Sequence, residues 1–96
     1  MPFSCQVCEG QQDSDCENSI RMKECKTYRG QPIKDPVCAA FKMNDGRFFE
    51  RFCSSREEYN NDKYDCEEDG DCTVVMCEES GCKAAFSGSG ITTFLR

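Results

Sequence analysis

Apolar positions along this chain come in short runs separated by turn residues, the pattern of a small β-rich domain. Phe3 to Val7 reads as a first strand and Ile20 to Tyr28 as another. The clearest signal is "VCAAFKMNDGRFFERFC". Here Val37 to Met43 and Arg47 to Cys53 are expected to fold about Asn44-Asp45-Gly46, residue types that accept the positive φ of a tight hairpin turn. Val74 to Met76 gives a short last strand. Pro32 and Pro36 interrupt the path into the hairpin, because each lacks an N–H for a ladder and biases its predecessor to extended geometry. The polar run "SSREEYNNDKYD", Ser54 to Asp65, shows no clear period. It is expected to be a long loop, with at most a helical turn over Ser55 to Tyr59 capped by Ser54 or Ser55. No helix of substantial length and no internal repeat is predicted.

The cysteines change this picture most. Ten of them in 96 residues exceed the density at which a disulfide scaffold is the default, and an even count lets every thiol pair. A chain this short buries little apolar core, and each bridge substitutes for it by about 2–4 kcal/mol of unfolded-state entropy. Such a scaffold places the chain outside the cytosol, secreted or at the cell surface. Zinc is the competing reading, and Cys5-x-x-Cys8 would suit a thiolate clamp. Against it, the chain has no His, its second close pair is Cys77-x4-Cys82, and ten thiolates leave two over after two four-Cys sites. The acidic stretch "CEEDGDC" crowds Glu67, Glu68, Asp69 and Asp71 around Gly70, but its spacing is not that of an EF-hand loop. No metal and no cofactor is expected.

With the cysteines bridged inward, alternation along the hairpin assigns its faces. Cys38, Ala40 and Lys42 share one face with Cys53, Arg51 and Phe49; Ala39, Phe41 and Met43 share the other with Phe48, Glu50 and Phe52. The residues expected to bind a partner are Phe41, Met43, Arg47, Phe48, Glu50 and Phe52, an apolar surface rimmed by Lys42, Arg47 and Glu50. The alternative is that the Ser54 to Asp65 loop or the chain ends cover this face as a satellite core.

Charge and chain ends narrow the function classes. Arg21, Lys23, Lys26, Arg29 and Lys34 form a basic stretch. Between Glu57 and Glu79 acidic residues face a single Lys63, so most of the net charge of -6 lies there. That segment either steers a cationic partner or is a solvated loop kept soluble by like charges. Nucleic acid is disfavoured by the acidic total, although the basic stretch leaves contact with sulfated glycans or a membrane surface open. No segment is long or apolar enough to span a bilayer, and "MPFSCQVC" lacks the regions of a secretory signal, as in a mature or trimmed ectodomain. Residues 1–86 are expected to form the domain and 87–96 a flexible tail or linker, unless Ser87 to Gly90 mark the cut edge of an anchor signal. Membrane association is expected only through an anchor outside these residues. There is no Asn-x-Ser/Thr acceptor. Without His, and with each Cys expected in a bridge, covalent catalysis has no nucleophile and base, so the chain is read as a binding module and not an enzyme.

The cysteine ladder Cys5-x2-Cys8-x7-Cys16-x8-Cys25-x12-Cys38-x14-Cys53-x12-Cys66-x5-Cys72-x4-Cys77-x4-Cys82 resembles the ten-cysteine three-finger domain of lymphocyte-antigen-type proteins and the urokinase receptor. "FSCQVC", the Cys38-x14-Cys53 hairpin and "CEESGC" carry the likeness most specifically, over Phe3 to about Phe86. The resemblance implies an all-β, small, disulfide-rich three-finger fold, with hairpin fingers projecting from a bridged palm. It also implies the pairing Cys5 with Cys38, Cys8 with Cys16, Cys25 with Cys53, Cys66 with Cys72, and Cys77 with Cys82. The chain departs from the family pattern at Lys83, where Asn is usual, and at Thr73 to Met76, inserted between cysteines that are usually close; the third finger is redistributed accordingly. Domains of this kind act as protein-recognition surfaces. The expected function is therefore extracellular protein recognition, in adhesion or receptor modulation, through the middle finger. The alternatives are the ligand-binding ectodomain of a TGF-β/activin-type receptor and a secreted toxin-like modulator of ion channels. Self-association through the aromatic face is a further possibility.

Overall fold

A computed structural model describes residues 2–28 and 30–86, so the expected tail, 87–96, lies outside the described residues. Strand β1 (Ser4–Gly10) runs into a short helix α1 (Asp13–Asn18), and the chain returns as β2 (Arg21–Glu24). Two short strands, β3 (Thr27–Tyr28) and β4 (Gln31–Pro32), precede the central hairpin of β5 (Pro36–Met43) and β6 (Phe49–Ser55). Helix α2 (Arg56–Asp69) and strand β7 (Cys72–Cys77) follow. The main sheet has the order β2-β1-β6-β5-β7 with antiparallel neighbours throughout, and β3 and β4 pair separately.

The hairpin has the expected register, with Cys38 opposite Cys53 and Phe41 opposite Glu50. Its turn is wider than Asn-Asp-Gly alone: Met43 N–H donates to the Phe48 carbonyl at 3.0 Å, so the return strand starts at Phe49 rather than Arg47. Gly46 supplies the left-handed backbone there, at φ 82°. The single strand expected over Ile20 to Tyr28 is divided at Cys25, whose N–H donates to Phe3 and whose sulfur bridges to Cys53. Those two ties carry the chain off the β1 ladder and into the β3–β4 pair.

The fold is the small, mostly antiparallel-β, disulfide-rich one expected, and the correction concerns helix: two helices form where none of substantial length is predicted. The expected loop from Ser54 is in fact the 14-residue α2. Its periodicity was invisible because the helix buries only Cys66 and so presents no apolar stripe. Its ends hold it instead. Ser55 Oγ accepts the Glu58 N–H at 3.1 Å, and Glu57 and Glu58 suit the positive end of the helix. Gly70, at φ 74°, closes the last turn, and the Cys66–Cys72 bridge anchors it to β7. The Arg56 guanidinium pairs with Asp35 and Glu78. Helix α1 is tied to β1 by Cys8–Cys16 and lies so close that a Cβ on Gly10 would stand 2.5 Å from the Asp15 Cβ.

All ten cysteines are bridged, as Cys5–Cys38, Cys8–Cys16, Cys25–Cys53, Cys66–Cys72 and Cys77–Cys82. These are the partners that the ten-cysteine resemblance implies. Sulfur makes up much of the core: Cys5, Val7, Cys38 and Cys53 form one buried cluster, and Cys8, Cys16 and Phe49 another.

A buried cation organises the second cluster. Arg51 is 2% exposed, and its Nε donates to the Ala84 carbonyl at 2.8 Å. Its guanidinium lies 3.1 Å from the Asp13 carboxylate and 4.9 Å from the centroid of Phe49. One side chain thereby joins β6, α1 and the closing segment, residues 82–86. Lys83 adds a second tie to α1 through Glu17, and that hydrogen bond holds the Glu17 carboxyl below its ordinary range. Arg51→Met keeps most of the volume but strips Ala84 of its donor; a loss of about 2–4 kcal/mol is expected in urea unfolding. Ser55→Ala is expected to cost about 1 kcal/mol by the same measurement, with a drop in helical circular dichroism.

Candidate functional site

Residues directly opposed across antiparallel strands share a face. Glu9 opposes Glu50, Glu50 opposes Phe41, and Phe41 opposes Val74, so one face of the sheet carries these side chains from β1 to β7. A groove of about 710 Å³ lies on that face. Phe41, Phe48, Glu50 and Phe52 line it, together with Val7 and Glu9 of β1, Arg21 and Lys23 of β2, and Asp62 of α2. The Phe41 and Phe48 rings meet edge to face with centroids 6.1 Å apart. Val37, Ala39, Ser54 and Val74 on the same face are buried, whereas at the groove α2 contributes a wall through Asp62 and all three phenylalanines stay half-buried.

Of the six residues expected to bind a partner, the structure brings four together in this groove. Met43 lies instead along a second cavity of about 380 Å³ with Lys42, Asn44, Phe49 and Phe86, which Phe48 also borders. Arg47 is turned outward, its side chain 84% exposed and paired with Asp45 at 2.9 Å. Lys42, expected on the rim, extends over the Phe86 ring at 4.6 Å. The residues that sequence reasoning missed are Glu9 and Asp62, together with the place in the groove of Arg21 and Lys23 from the basic stretch. No local signal places any of the four beside the hairpin, because they reach it only through the β2–β1–β6 pairing and the position of α2.

Glu50 is half-buried, and its carboxyl is pushed above the ordinary glutamate range, first by burial and then by the Glu9 charge, with Lys23 partly offsetting both. The sulfurs of Cys5, Cys25 and Cys53 lie close together, as do those of Cys38, Cys77 and Cys82, but each is committed to a bridge and offers no thiolate. The "CEEDGDC" stretch is not the loop expected. Glu67, Glu68 and Asp69 are exposed on the last turn of α2, and the Gly70 and Asp71 carbonyls accept hydrogen bonds from Asn44 at the hairpin tip.

Comparison with family models, curated proteins and solved structures finds no match to this chain.

A raised carboxyl pKa favours folding below the unfolded value, near 4.5, and that contribution is lost as pH rises through the folded value. Glu50→Gln removes the loss. The variant is expected to melt higher than wild type at neutral pH and to converge with it near about pH 4 in thermal unfolding followed across pH.

Proposed function

We propose that this chain is an extracellular protein-recognition domain of the three-finger type, acting in cell-surface adhesion or receptor modulation, and that it takes its partner in the groove of the β5–β6 hairpin. The observation that carries the reading is the set of three half-buried phenylalanines around Glu50 in an open groove of the sheet face. Aromatic area beside a charged group is the composition of a recognition hot spot.

The scaffold supports it. Five bridges fit an oxidising compartment, and no helix among the described residues is long and apolar enough to cross a membrane. The β1–β2 pair and the β5–β6 hairpin supply two fingers. The third is β7, with α2 where an outgoing strand would stand, which accounts for the long interval from Cys53 to Cys66. With no His and no free thiol, the groove holds no Ser–His or Cys–His pair, and what supports recognition there is its aromatic surface and charge.

The test is capture of surface proteins from intact cells by wild type, Phe41→Asp and Phe48→Asp. Both variants are expected to form all five bridges, checked by mass, and to lose capture by at least about tenfold, the scale of one hot-spot residue. Undiminished capture by both folded variants would mean that the groove is not the contact.

A further inference from the structure

We infer that the groove seats one cationic side chain, lysine or arginine, of the partner protein, between the Glu9 and Glu50 carboxylates and the Phe41–Phe48 ring pair. This deepens the recognition reading and rests on it. Glu9 and Glu50 are direct cross-strand partners on one face, an arrangement of like charges that destabilises a sheet. Among the described residues neither carboxylate forms an ion pair within 4.0 Å, and Lys23 acts on Glu50 only from a longer range. A cation arriving between them relieves the repulsion, and it gains more there than in open water because Glu50 is half-buried.

The aromatic pair supplies the second half of the site. Phe41 stands directly opposite Glu50, and the Phe48 ring meets it edge to face, so π density borders the carboxylates. A guanidinium or ammonium with its alkyl stem matches this combination, the stem against the rings and the head at the acids. Arg21 and Lys23 on the β2 side select against a polybasic segment: one cation is attracted, and a run of them is repelled.

The experiment is an NMR titration of the folded chain with acetyl-Gly-Arg-Gly-amide, compared with the Gln and Asp peptides of the same form. The Arg peptide is expected to shift the Phe41, Phe48 and Glu50 side-chain signals and to bind at least about tenfold more tightly than the Gln peptide. Glu9→Gln and Glu50→Gln are each expected to weaken it. These variants remove a repulsion, so they keep the fold. Equal binding of the Arg and Gln peptides overturns the inference, and so does Arg-peptide binding unaffected by both Glu substitutions. The same Glu variants in the cell-surface assay separate the two readings. If Phe41→Asp abolishes capture while Glu9→Gln and Glu50→Gln leave it intact, recognition stands and the cationic occupant falls; if Phe41→Asp and Phe48→Asp both capture normally, the recognition reading itself falls.

Discussion

The Cys5–Cys38 bridge underlies the rest of the structure. It joins β1 to β5, two strands that share no ladder, and closes a sequence interval of 33 residues. The Cys25 sulfur lies 3.3 Å from that of Cys5, and the sulfurs of Cys77 and Cys82 gather around that of Cys38, so two further bridges pack against the first. Half-cystines are small and apolar, and stacked this way they fill the space that Leu and Phe would fill in a larger domain. The strands can then be short, because the bridged cluster as well as the sheet constrains them. A reader of the sequence sees ten residues of one type; the fold uses them as both staple and core.

That division of labour explains why the aromatic groove persists. A chain with a conventional core would fold Phe41, Phe48 and Phe52 inward, at roughly 1.5–3 kcal/mol of burial each. Here the stability comes from bridges and from the Arg51 clamp on the other face, so the sheet tolerates rings that are only half-covered. Helix α2 shows the same economy. It is fixed by its caps, by Arg56 and by Cys66, and needs no apolar stripe against the sheet, which leaves it free to stand as a wall.

What the sequence made legible follows from that. The β5–β6 hairpin, its turn and its two faces could be read because alternation and Asn-Asp-Gly are local signals, and the register of Cys38 with Cys53 follows from them. Arg51 fell on the inward face by the same alternation, but its role depends on Asp13 and Ala84, which approach it only in the tertiary fold. Helix α2 was hidden because the usual evidence for a helix is a buried stripe, and this one has caps instead; Ser55 and Gly70 were present as signals but bracketed nothing periodic. Half of the groove was likewise unreadable. Glu9 lies 41 positions from Glu50 in sequence, and only the β1–β6 pairing places them face to face.

The start of β1 meets the turn that follows β7. Gly81 N–H donates to the Ser4 carbonyl, and Ser4 N–H donates to Ser80 Oγ at 3.0 Å. Cys5 and Cys82 are each bridged to one member of the cross-strand pair Cys38 and Cys77. From that turn the chain doubles back along the sheet to Phe86, whose ring meets Phe49 opposite Gly10 at the other end of β1. A longer chain carrying the domain would therefore run through it along β1, and a pull on its two sides would load the Cys77–Cys82 turn at one end and the Arg51 clamp at the other.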